Sequence, residues 1–203
     1  MKIIFKDENI VVCIKPVGVD SEHGMIDALK QMIDGEFFAL HRLDKAVSGV
    51  MVFARNKRTA AELSRVIQNG DMVKEYVAKV HGNPPEKDIL EDLLFKDSKK
   101  NKVFVVKRER RGVKRAKLEY KVLSYDENTN ASVVRVRLYT GRTHQIRVQF
   151  ASRGFSLVGD HKYGARDNEK HPMLYSCCIS FPYKDETKIF ENLPEWAKGV
   201  QND

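Results

Sequence analysis

His41-Arg42-Leu43-Asp44-Lys45-Ala46-Val47-Ser48-Gly49 lies between two apolar runs, Phe37 to Leu40 and Val50 to Ala54. Each run has the length and composition of a buried strand. Charge with Ser and Gly between two such strands makes a loop on a rigid scaffold, a common place for chemistry. Asp44 has cations on either side, Arg42 and Lys45, which favour an ionised carboxylate able to act as nucleophile or base. Taken alone, an Asp among cations is more often an ordinary turn former.

Working outward, the pattern on both sides is mostly strands. Ile3 to Phe5 and Ile10 to Ile14 flank Lys6-Asp7-Glu8-Asn9, a hairpin signature that Lys15-Pro16-Val17-Gly18 closes. Met25 to Asp34 carries apolar residues at helical spacing and Gly35 follows, predicting a short helix with a glycine stop. Asn56 is a good N-cap, and the helical period of Thr59, Ala60, Leu63, Val66 and Ile67 runs on to Gly70. Val73 to Val80 alternates as a strand, with Tyr76, Ala78 and Val80 on one face. Leu118 to Leu123 and Ser132 to Tyr139 alternate as antiparallel strands, and Thr143 to Val148 is read the same way. Met173 to Ile179, Phe181 to Tyr183 and Thr187 to Phe190 supply further strands, and Trp196 is expected to pin a C-terminal helix. Strands dominate and helices are scattered, so the predicted class is α+β with a large mixed, mainly antiparallel sheet.

The 203 residues suffice for one domain, or for two lobes sharing one core. Thirty-six Lys and Arg against 28 Asp and Glu leave a net charge of +8, which suits a polyanionic partner. The excess is concentrated between Lys96 and Lys117, where eleven cations meet two acids, Asp97 and Glu109. Phe104 and several valines are interleaved, as expected of a basic hairpin or arm that touches phosphates and supplies affinity. Cys13, Cys177 and Cys178 are odd in number and include no C-x-x-C, the pattern of reduced thiols. No signal peptide or membrane-length apolar run is visible, so a cytoplasmic chain is expected.

Three more stretches add to His41-Arg42-Leu43-Asp44. They are Tyr76-Val77-Ala78-Lys79-Val80-His81-Gly82, Gly141-Arg142-Thr143-His144-Gln145-Ile146-Arg147-Val148 and Gly154-Phe155-Ser156-Leu157-Val158-Gly159-Asp160-His161-Lys162-Tyr163-Gly164. With these four motifs in order, the chain from about Ile3 to about Trp196 resembles the RluA-type RNA pseudouridine synthases. Val47 stands where that family usually has Thr, and the Arg115 to Tyr120 segment lacks a common Thr. The resemblance implies a bent central sheet whose cleft binds RNA, and isomerisation of specific uridines in rRNA or tRNA to pseudouridine without metal or organic cofactor. By the same resemblance Asp44 is the catalytic aspartate, Tyr76 the tyrosine that stacks on the target base, and Arg147 the basic partner of the aspartate. Arg42 resembles the arginine that fills the space left by a flipped base. Arg142, His144 and Gln145 would contact RNA backbone or shape their loop. Residues 1–203 would then be a single catalytic domain without the small RNA-binding module that precedes it in many relatives, and a monomer is expected.

Two other readings compete. His41, Asp44, His144, Asp160 and His161 could in principle gather around a divalent ion in a metal-dependent hydrolase, although their spacing follows no ligand motif. A non-catalytic RNA-binding protein would share the basic arm but has no use for Asp44, Tyr76 and Arg147 together.

Overall fold

The structure, a computed structural model, describes residues 1–200. In chain order the elements are β1 (Lys2–Lys6), β2 (Ile10–Lys15), α1 (His23–Lys30), β3 (Phe38–Ala39), β4 (Ser48–Ala54), α2 (Lys57–Asn69), β5 (Val73–His81) and β6 (Lys87–Asp97). Then follow β7 (Lys102–Val106), β8 (Val113–Asp126), β9 (Ala131–Leu138), α3 (Gln145–Ala151), β10 (Leu174–Tyr183) and β11 (Glu186–Glu191). The class is α+β, with mixed and mainly antiparallel strand pairing, as the sequence pattern predicts. The chain divides into two compact units.

The first unit comprises Met1–Lys74 and Tyr175–Pro194. Its strands run in the order β1-β2-β4-β10, with β3 added to β4 and β11 to β10. The β1–β2 hairpin turns on Asp7, whose Oδ1 accepts from Asn9 N at 2.8 Å and Ile10 N at 2.7 Å. β2 and β4 pair antiparallel, Lys15 opposite Gly49, whereas β4 and β10 are parallel. Gly49 is required where those strands meet: at φ 127°, an added β-carbon would lie 2.5 Å from Ser176 N and 2.8 Å from its Cα. Ile10, Val12, Val50, Val52, Leu63, Ile179, Phe181 and Phe190 form the core. α2 keeps its predicted ends. Asn56 accepts from Thr59 N at 2.8 Å, and Gly70 closes the helix in the left-handed region. α1 ends at Lys30, short of the expected Asp34. Met32 N and Ile33 N turn back onto Leu29 O, so the chain leaves the helix before Gly35.

The second unit comprises Glu75–Leu174 and the described residues from Glu195 onward. Its strand order is β5-β9-β8-β6-β7. β6, β7, β8 and β9 pair antiparallel, with a bulge between Val122 and Ser124. The inner face of β6–β8 presents Leu94, Val103 and Ala116, on which Val148 and Tyr163 pack.

The strand expected over Thr143 to Val148 is instead the start of α3, which begins at Gln145. Every residue from Gln145 to Phe150 is buried, so the helix turns no solvent-facing polar stripe outward. With six of its seven residues buried, the helix carries polar Gln145, Arg147 and Gln149 in alternation with Ile146, Val148 and Phe150, a period-2 pattern that mimics a strand. The expected C-terminal helix at Trp196 is a single 3-10 turn, Glu195–Ala197.

Candidate active site

The Asp44 loop is fastened through its backbone. Ser21, fully buried, accepts Leu43 N–H at 2.9 Å and donates to Leu43 O at 2.7 Å. Asp44 O accepts from Val47 N at 2.9 Å, closing a tight turn, and Lys45 O accepts from Gly18 N at 2.8 Å. Leu43 and Val47 anchor the loop with buried side chains, while Asp44 between them stays partly exposed.

Beneath the loop sits Lys15, with 0% of its surface exposed. Its ammonium donates to Val19 O at 2.8 Å, Pro16 O at 3.0 Å and, more weakly, Lys45 O at 3.4 Å. Burial pulls its pKa down to about 8 against the opposing pull of Asp20 and Asp44. Lys15 and Ser21 were not among the sequence-derived site residues. The Lys15-Pro16-Val17-Gly18 punctuation was the available signal for the first. Nothing local marks Ser21, whose partner is 22 positions away.

Arg42 is 73% exposed and lies 3.7 Å from Glu22 Oε1, a loose surface pair of little energetic weight. Its side chain is therefore not spent on holding the loop.

In the second unit, Tyr76 is buried near the start of β5. Its neighbour Glu75 pairs with Arg135 at 2.6 Å. Arg147 projects from α3 and meets Asp160 as a two-pronged fork, Nε to Oδ2 and Nη2 to Oδ1, both at 2.7 Å. Arg147 is 6% exposed and Asp160 1%, so both charges are out of water. Such a pair has well-defined geometry, and removing one partner strands the other. The Tyr163 ring lies under the guanidinium, 5.2 Å from its centre. The sequence reading pairs Arg147 with Asp44, which belongs to the first unit. Within its own unit, Arg147 is gripped by Asp160.

The loop before α3 is shaped by Gln145. Its Oε1 accepts from Thr140 Oγ1 at 2.7 Å and Arg142 N at 3.1 Å, while Nε2 donates to Lys117 O at 3.0 Å. His144 takes a left-handed conformation, φ 51°, and its Nδ1 lies 2.8 Å from the Tyr163 hydroxyl, which also accepts Val103 N–H at 2.9 Å. Arg142 is exposed, with Nε donating to Arg115 O at 2.9 Å.

Behind Asp160, Asp167 braces the turn. It accepts Gly159 N–H with both oxygens, at 3.0 and 3.1 Å, and meets His81 Nε2 at 2.7 Å. Burial pushes its carboxyl up, but Gly159 N–H, His81 and Glu169 N–H outweigh this and hold it down at about 2.

The imidazoles of the metal reading are engaged elsewhere. His41 Nε2 accepts Val52 N–H at 3.2 Å, and burial, with nearby Lys74, lowers its pKa to about 3. His161 uses Nδ1 on Ala165 O and Nε2 on Glu169 O. Asp160 is held by Arg147. These contacts fit structural roles better than a shared ligand set.

Residues 9–152 match the RNA pseudouridylate synthase family, and the chain belongs to that family. It is 34% identical over 174 residues to the dual-specificity RNA pseudouridine synthase RluA of Escherichia coli K12, covering 80% of this chain and 77% of that one. It is 30% identical over 192 residues to the ribosomal large subunit pseudouridine synthase D of Zymomonas mobilis. That match covers 87% of this chain but only 60% of the relative's length. Among solved structures, human RNA pseudouridylate synthase domain containing 1 superposes with a TM-score of 0.85 at 22% identity, covering 98% of this chain and 86% of that one. That likeness shows a shared fold.

Proposed function

We propose that this chain converts specific uridines in structured RNA, ribosomal or transfer, to pseudouridine. The observation that carries the reading is the Asp44 loop: its backbone is fixed by buried partners while Asp44 itself, as a residue, stays partly exposed. A loop built in this way, in a member of this family, suits a carboxylate that must reach a substrate.

The reaction breaks the bond between C1′ and N1 of uridine, turns the detached base and joins C1′ to C5. The hydrogen on C5 leaves as a proton and N1 gains one. Asp44 acts at the sugar, either attacking C1′ or removing a proton. Tyr76 gives the loose uracil a flat surface, and Arg147 serves as the cationic partner of the catalytic carboxylate. Exclusion of water prevents simple hydrolysis. The target nucleotide must first leave its stack, which costs a few kcal/mol. Arg42, exposed and only loosely paired, is suited to take the vacated space. The basic stretch from residue 96 to 117 supplies affinity for the backbone, and Arg142, His144 and Gln145 shape or line its approach. We further propose a monomer working in the cytoplasm. Among the described residues no helix is long and apolar enough to cross a membrane.

The test is tritium release from RNA labelled at uridine C5, with pure protein and no added metal. Release accompanied by pseudouridine in the digested product is the expected result. Turnover abolished by a chelator and restored by zinc would instead support the hydrolase reading.

A further inference from the structure

Two surface hollows lie on the strands of the second unit, and their charges differ. The larger, about 550 Å³, is lined by Glu91, Asp92 and Glu109 as well as by Lys107, Arg115 and Lys117. Two of its three cations are already matched: Lys117 meets Glu91 at 2.6 Å, and Arg115 meets Glu109 at 2.7 Å. The smaller, about 140 Å³, is lined by Lys96, Lys114, Arg142 and Thr143, with Gly112 and Gly141 at the rim. No acidic residue lines it. Among the described residues, Lys96, Lys114 and Arg142 enter no ion pair, and the Thr143 hydroxyl has no partner.

The strand register explains why these groups converge. Lys114 stands opposite Leu94 across β8 and β6, and Lys96 stands opposite Val103 across β6 and β7. Leu94 and Lys96 are two apart, so all four project from one face. That face is buried under Val148 and Tyr163 farther along, which makes Leu94 and Val103 an apolar floor. Gln145 fixes the Arg142 backbone at the other wall. Three positive side chains above a dry floor, with two glycines leaving the rim open, suit a compact anion. Val103 N–H also bonds to the Tyr163 hydroxyl, so the hollow adjoins the ring beneath Arg147.

We propose that Lys96, Lys114, Arg142 and Thr143 form a socket for one phosphodiester of the RNA backbone, fixing the register in which the substrate lies. The inference rests on the RNA reading above and adds a single assigned phosphate to it. Phosphate contacts of this kind position a nucleic acid without reading its sequence. The remaining cations of the basic stretch, among them Lys107, Arg108, Arg110 and Arg111, act diffusely. Arg110 already lies over the Phe95 ring, at 4.5 Å.

The experiment is phosphate-ethylation interference on large-subunit rRNA and tRNA transcripts, with affinity measured against salt. It compares wild type, the double variant Lys96→Met/Lys114→Met, its charge-retaining counterpart Lys96→Arg/Lys114→Arg, and the quadruple alanine variant of Lys107, Arg108, Arg110 and Arg111. With wild type, ethylation of one phosphate should block binding. The Met double variant should bind about tenfold more weakly. It should also ignore that ethylation and show a salt slope shallower by roughly 0.7–0.9. The Arg double variant should restore all three properties. The quadruple variant should bind more weakly yet keep the same sensitive phosphate. A Met double variant with the wild-type interference pattern and slope overturns the socket. If it still releases tritium, the uridine chemistry stands without the socket. If wild type neither binds RNA nor releases tritium, both proposals fall.

Discussion

The Asp44 loop of the first unit is held by its backbone, whereas the α3 region of the second is held by side-chain charge. Around Asp44, the Leu43 and Lys45 carbonyls and the Leu43 amide are all engaged by buried partners, and Asp44 as a residue stays partly exposed. Around Arg147, the guanidinium is forked onto a carboxylate that is 1% exposed. In the first arrangement much of the support comes from backbone atoms, and the function proposed for the site rests with the Asp44 side chain. The second merges them, since Arg147 both anchors α3 and carries the charge proposed for the site. Mutations in the two regions should therefore fail differently, one in rate and the other in stability.

The largest effect should come from Asp44→Asn. The amide keeps the shape but cannot attack or take a proton, so turnover should fall by about 10²–10⁴-fold or more. RNA affinity should stay close to the wild-type value and the denaturation midpoint should change far less than turnover, measured alongside single-turnover rates. A variant that loses stability in proportion to activity would mean that the Asp44 carboxylate is structural. Asp160→Asn should show the opposite pattern. It leaves a buried guanidinium facing a neutral amide, and breaking such a pair costs about 3–5 kcal/mol of stability. Urea denaturation reads this directly, and a loss below about 1 kcal/mol would show that the pair is dispensable.

The same contrast accounts for what the sequence revealed. The strand-loop-strand around Asp44 and the capped helix after Asn56 were legible because their signals are local, an apolar run or an N-cap three residues from its partner. α3 reads as a strand because its buried polar residues, Gln145 and Arg147, alternate with Ile146 and Val148, so Thr143 to Val148 carries a period of two. The placement of Arg147 on Asp160 could not be read, because two residues 13 apart share no periodic pattern once a turn and a loop intervene. Ser21 and Lys15 were missed as supports for a related reason. Their contacts to Leu43 and Lys45 span 22 and 30 positions, and they address backbone atoms, which every residue possesses. The motif residues could be found because their types are unusual for a loop. The residues holding them are ordinary in type and special only in position.

Ser21→Ala should give a smaller loss than Asp160→Asn. It strands the Leu43 N–H and C=O inside the protein, and each buried group left unsatisfied costs about 1–3 kcal/mol. Water entering the gap would keep the total near the lower figure. Because the clamp lies one residue before Asp44, turnover should fall even at temperatures where the variant is fully folded. Ser21→Thr, which retains the hydroxyl, should recover most of that rate if the methyl group fits. Full activity in Ser21→Ala would show that the turn at Val47 and the Lys45 contacts position Asp44 without it.

The smallest effect should appear only in acid and only in the second unit. Asp167 braces Gly159, the residue before Asp160, and its carboxyl is held at about 2 against an ordinary value of 3.8. A carboxyl with a lower pKa in the folded state binds fewer protons there than in the unfolded chain. Its contribution to stability is therefore complete above the unfolded value and is lost as pH falls from about 4 toward 2. The side chain is 20% exposed, so water screens part of the interaction and the loss should be modest. Asp167→Asn cannot titrate, and its stability should depend less steeply on pH across that window than that of wild type. Above pH 5 the two curves should run parallel, offset by whatever the amide fails to hold. Urea midpoints of both proteins between pH 2 and 6 provide the measurement. Parallel curves through the acid window would remove Asp167 as a charged brace and leave Gly159 fixed by backbone packing alone. There a β-carbon would lie 2.7 Å from the His171 carbonyl carbon.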